Sequence, residues 1–208
     1  MALTARPRPH DLVRLTPGAV SLAGAPAWVR TSLARVPWAV VRHDLPVPGQ
    51  IPVGIRGPTR ELRWATYLPQ AGVTGIRTPE SLRHVDDWAA IPDVAAMRAL
   101  RALIPSLNRG GTAWGPTGSA GFSLATGHIA VRRASDLDVL LRCPVRPARA
   151  WLDGAARLFA TQEARVDGQV ETPAGVAHLD DLRRDGPSLV RTCAGPRLCA
   201  DPWAEAGA

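Results

Sequence analysis

The sequence predicts an α+β protein in two lobes, a small β-rich one over residues 1–77 and a mixed strand-and-helix domain over residues 78–208. Two observations carry this reading. Before residue 78 short apolar runs alternate with Pro and Gly, whereas after it apolar residues recur at helical spacing and lead into a strand, helix, strand order. The length of 208 residues leaves room for two small cores or one large one. With 46% apolar and 21% charged residues and seven Trp, the chain buries a core rather than remaining disordered.

In chain order, residues 26–36 read as one amphipathic helix with Trp28, Val29 and Leu33 on a single side. Residues 36–42, 51–56 and 62–67 read as short strands, divided by Pro46, Pro48, Gly49, Gly57 and Pro58. From Thr78 the pattern turns helical, with Pro79 and Glu80 at a first start and Pro92 and Asp93 at a second. Val94, Met97, Leu100 and Ile104 then follow at helical spacing, which is the pattern of core packing and carries no chemistry. Residues 112–141 read as strands and tight turns, with 122–126 extended. Residues 147–161 form a helix whose apolar face holds Ala148, Trp151, Leu152, Ala155, Leu158 and Phe159. An extended run over 165–172 and a short helix over 178–184 complete the expected elements.

Several function classes are excluded early. There is no run of eighteen apolar residues, and Pro7, Pro9, His10, Asp11 and Arg14 interrupt the region where a signal peptide needs an apolar core. A cytoplasmic location and no membrane partner are expected. Cys143, Cys193 and Cys199 are odd in number and lack CxxC spacing, so neither a disulfide framework nor a zinc site is indicated. Net charge is +7 and every basic residue is Arg. No basic stretch interleaves with aromatics, so nucleic acid is not the expected partner.

The chemistry concentrates in four places. Asp136 and Asp138 lie two apart in an apolar run, and on a strand that spacing sets both carboxylates on one face. Two adjacent like charges need a compensating cation, and a hard ion such as Mg²⁺ or Mn²⁺, held by one or two carboxylates and substrate phosphates, fits them. The alternative is a solvated strand edge paired with Arg132 and Arg133. Upstream, Trp114-Gly115-Pro116-Thr117-Gly118-Ser119 is a Gly-rich turn able to present backbone N–H groups and the Ser119 hydroxyl to a phosphate. No Lys follows the glycines, so it is not a P-loop. A third acid is Asp167 or Glu171, with Asp167 ranked first. Arg56, in the 54–57 turn, is a candidate for two parallel hydrogen bonds to phosphate. Trp114 stands beside the cradle as an open candidate for stacking.

The Gly-Ser turn, the Asp-hydrophobic-Asp strand and a later acid resemble the polymerase-β-type nucleotidyltransferase superfamily. The resemblance implies a mixed sheet with flanking helices for the second lobe. The interval from Ser119 to Asp136 is longer than in that superfamily and reads as an inserted hairpin through Ala125, Thr126, Gly127 and His128. Across nearly the whole chain the sequence is similar to the malonate decarboxylase holo-acyl-carrier-protein synthases, the phosphoribosyl-dephospho-CoA transferases. The residues that carry this are 6–12 (RPRPHDL), 51–57 (IPVGIRG), 114–127 (WGPTGSAGFSLATG), 135–138 (SDLD), 169–173 (QVETP) and 201–203 (DPW). The resemblance implies transfer from 2′-(5″-triphosphoribosyl)-3′-dephospho-CoA to a serine of an apo acyl carrier protein, with loss of pyrophosphate. It also suggests that His10 and Asp11 reach toward a ligand. Other readings are AMP transfer to a small molecule or protein, a non-catalytic module that binds carrier proteins or CoA, and the related citrate lyase system.

Overall fold

The computed structural model describes residues 6–59, 61–84 and 90–204. The chain divides into two compact units, residues 1–78 and 79–208.

The first unit contains β1 (Leu12–Leu15), α1 (Ala27–Arg35), β2 (Trp38–Val41), β3 (Gln50–Arg56), β4 (Arg63–Pro69) and β5 (Val73–Arg77). They form one antiparallel sheet in the order β4-β3-β2-β1-β5. Alternation sets its inner face: Ile51, Val53 and Ile55 of β3 point inward with Val13, Ala39, Val41 and Leu68. Onto them packs α1 through the fully buried Val29, flanked by Trp28 and Leu33. β1 and β5 are additions to the sequence reading. β1 has four residues, and β5 contains Gly75, so neither shows a strand period long enough to read.

The second unit opens with a 3₁₀ turn (Pro79–His84), followed by α2 (Ala95–Arg109), β6 (Ala113–Pro116), α3 (Gly118–Thr126), β7 (Leu137–Arg142), α4 (Arg149–Ala160), β8 (Val166–Thr172), β9 (Gly175–His178), α5 (Leu179–Leu182), β10 (Ser188–Thr192) and β11 (Gly195–Cys199). Part of the expected helical stretch after Thr78, residues 85–89, lies outside the described residues. The sheet runs β11-β10-β9-β8-β7-β6, and its β7–β8 pair is parallel while the others are antiparallel. A parallel pair needs a crossover, and α4 supplies it. Leu152, Ala155 and Phe159 of α4 are buried, and Gly168 of β8 is required there because a Cβ would fall 2.7 Å from the Phe159 ring.

Two expectations are corrected. Residues 118–126 are the helix α3, not a strand with a hairpin beyond it. Its residues 120–124 are all buried, so no amphipathic period marks it in the sequence. Gly127, at φ +72°, ends the helix and donates its N–H to Ser123 O at 2.9 Å. The Ser123 hydroxyl then accepts the Ala130 and Val131 N–H groups at 2.9 and 3.1 Å, fastening the following loop. The second correction is that β7 starts at Leu137, so Asp136 precedes the strand. Among the described residues no helix is long and apolar enough to cross a membrane.

Candidate active site

The polar face of the second sheet is set by register. β7 and β8 pair with Asp138 beside Asp167, Leu140 beside Gln169 and Arg142 beside Glu171. Strand side chains alternate, so these six share one face, while Leu137, Val139 and Leu141 point to the buried other face. Neighbouring strands are about 4.8 Å apart, which makes Asp138 and Asp167 adjacent carboxylates.

The turn from β6 into α3 closes on the first of these acids. Thr117 N–H donates to Asp138 O at 2.9 Å, and Gly118 takes φ +59° at the start of the helix. A Cβ on Gly118 would lie 1.7 Å from Asp138 Oδ2, so the carboxylate fills the space that any other side chain would take. Thr117, the N-cap residue of α3, makes no side-chain cap hydrogen bond, and the helix begins at Gly118 and Ser119. Gly115 has another duty: its missing Cβ admits the Pro79 carbonyl, 1.9 Å from where that atom would stand, and so holds the 3₁₀ turn against β6.

Asp167 is met from the far side by His178, the last residue of β9, whose Nε2 lies 2.6 Å from Asp167 Oδ1. Glu171 stands two pleats further along β8, where the buried Arg142 holds it and Glu80 together, with Arg142 Nε 2.5 Å from Glu80 Oε1. Burial works to lower the Arg142 pKa, but Glu171 and then Glu80 outweigh it and hold the guanidinium above its ordinary value.

The structure thus brings Gly118, Asp138 and Asp167 together, with Ser119 on the adjoining helical turn and Asp136 at the entrance to β7. It engages Glu171 in an ion cluster instead. Trp114 is 0% exposed and gives its indole N–H to Asn108 Oδ1 at 3.0 Å, so no ring face is open to a ligand. Arg56 ends β3 in the first unit, opposite Arg63. Asp11 is buried and accepts the Arg8 N–H at 2.9 Å, while His10 takes φ +73° with its ring edge-on to His43. Sequence reasoning missed Arg142, Glu80 and His178, because the register that places them cannot be read from local pattern.

Among the described residues no three His, Cys, Asp or Glu side chains converge to hold a metal ion. Asp138, with Asp136 at the entrance to β7, offers fewer ligands than a closed protein site. That suits an ion of the Mg²⁺ class, which usually completes its shell with water and substrate phosphates.

No solved structure matches the chain. A family model described as the phosphoribosyl-dephospho-CoA transferase MdcG C-terminal domain matches residues 81–202, and its N-terminal counterpart matches residues 8–79. A phosphoribosyl-dephospho-CoA transferase of Pseudomonas aeruginosa is 41% identical over 98% of this chain and 97% of its own length. Proteins of the same name from Pseudomonas putida and Klebsiella pneumoniae are 38% and 37% identical, over 95% and 97% of this chain and 96% and 98% of theirs. On both units and over nearly its full length, the chain belongs to the phosphoribosyl-dephospho-CoA transferase family of transferase enzymes.

Proposed function

We propose that the chain transfers the 5′-phosphoribosyl-3′-dephospho-CoA group from 2′-(5″-triphosphoribosyl)-3′-dephospho-CoA to a serine of the apo acyl carrier protein of malonate decarboxylase. The serine oxygen attacks the α-phosphorus, the bond to the β-phosphate oxygen breaks, and pyrophosphate leaves. The hydroxyl proton passes to a carboxylate oxygen of Asp167. Asp136 and Asp138 would hold a divalent ion of the Mg²⁺ or Mn²⁺ type. When bound, that ion neutralises charge on the phosphates. The first turn of α3, with Gly118 and Ser119, receives phosphate oxygens, since a helix N-terminus and its dipole favour an anion there. This arrangement supplies positioning and charge neutralisation, the main needs of phosphoryl chemistry. It agrees with a nucleotidyltransferase-like reading of the second unit.

The single observation that carries the reading is the closure of the Gly118 turn on Asp138, with Asp167 in register beside it. The test is the intact mass of the apo carrier after incubation with the triphosphoribosyl donor and Mg²⁺. A mass gain on one serine with equimolar pyrophosphate is expected. An unmodified carrier, or AMP transfer from ATP in its place, overturns the assignment.

A further inference from the structure

We propose that His178 is a positioning residue for Asp167, fixing the carboxylate that takes the serine proton; the proposal rests on the transfer reaction described above. His178 caps α5: its Nδ1 accepts the Asp180 N–H at 3.3 Å. An imidazole nitrogen that accepts carries no proton, so the neutral ring holds its proton on Nε2. That nitrogen is the one 2.6 Å from Asp167 Oδ1. The backbone cap therefore favours the tautomer whose N–H lies on the side of the carboxylate.

Topology makes the contact possible. His178 lies opposite Gln169 on β8, which places it on the sheet face that Asp167 shares. Asp167 Oδ1 is closed to solvent, and His178 Nε2, close but off the ideal hydrogen-bond axis, is the polar atom set against it. Catalytic contacts are often poorly aligned until substrate binds. With the imidazole set against Oδ1, Oδ2 is left to accept the serine proton. The proton then resides on Asp167, and His178 keeps its own. The Asp180 carboxylate is shared: its Oδ1 accepts from Arg183 Nη1 at 3.1 Å, and its Oδ2 lies 3.9 Å from His178 Nδ1.

Two substitutions separate positioning from capping. His178→Asn keeps a good helix cap but ends short of Asp167, whereas His178→Gln caps poorly but can carry an amide N–H to about the Nε2 position. His178→Asn is expected to melt within a few degrees of wild type and to lose about 100-fold in kcat, with KM for the donor unchanged. His178→Gln is expected to melt lower yet hold kcat within roughly tenfold of wild type. Nitrogen NMR of the wild-type imidazole is expected to show Nδ1 unprotonated. A fully active His178→Asn, kcat that tracks melting temperature across the pair, or a proton on Nδ1 overturns the proposal while leaving the transfer reaction standing. Failure of the wild type to modify any carrier overturns the transfer reading and this proposal together.

Discussion

A Cβ at position 118 would meet Asp138 Oδ2 at 1.7 Å, and the backbone there has φ +59°. Gly118→Ala is therefore expected to cost about 1–2 kcal/mol of stability through the left-handed conformation. It should also cost roughly 100-fold or more in transfer by displacing the carboxylate. Chemical denaturation and carrier-loading assays on the same preparation check both effects. Asp138→Asn should abolish transfer with the fold intact, because an amide is a poor ligand for a hard ion; near-normal turnover at saturating Mg²⁺ would remove the ion from the reading. Ser119→Ala should lose tenfold or less, the scale of one neutral hydrogen bond at about 0.5–1.5 kcal/mol. Asp138 and Gly118 were legible in the sequence because acids in an apolar strand and glycines in a turn stand out locally. Asp167 ranked only narrowly ahead of Glu171, since residues four apart on a strand share a face. In the structure Arg142 holds Glu171, a pairing that depends on a parallel register. His178 was invisible for the same reason, its place being set by a strand pairing and a four-residue helix.

At the scale of elements, the Glu80, Arg142 and Glu171 cluster ties the 3₁₀ turn to β7 and β8. Arg142→Met leaves two half-buried carboxylates facing each other and is expected to cost about 3–5 kcal/mol. Converting both acids to Gln in the same chain should recover most of that loss in a denaturation series. Just past β7, burial pushes the Cys143 thiol up to about 11. A folded pKa above the unfolded one contributes stability below about pH 9 that fades as pH rises toward 11. The melting-temperature advantage of wild type over Cys143→Ala should shrink across that window; a constant difference would mean that the thiol is not desolvated. α2, α4 and β8 were readable from their periods, and β3 from its alternation. By contrast, α3 was misread because a helix buried on every side has no polar face, and β10 and β11 escaped notice because Pro, Gly and Arg dilute their pattern.

For the whole molecule, the +7 charge is carried wholly by Arg. An acidic carrier should then bind with KM rising as salt shortens the screening length from about 10 Å at 0.1 M to about 3 Å at 1 M, and kcat should change little. A flat KM, measured with the donor saturating, would make docking mainly apolar. The change of composition near Thr78 was visible because Pro-punctuated strands and periodic helices differ over dozens of residues, while the pairing of β1 with β5 was not. That pairing matters during synthesis. β1 sits between β2 and β5, with Leu12 opposite Arg77, so the first strand made completes its hydrogen bonding only when the last strand of its sheet has emerged from the ribosome. Until then the nascent chain shows an open strand edge, a template for mispairing. A stalled chain that ends before Val73 should stay sensitive to protease, and one that has fully exposed Arg77 should resist it.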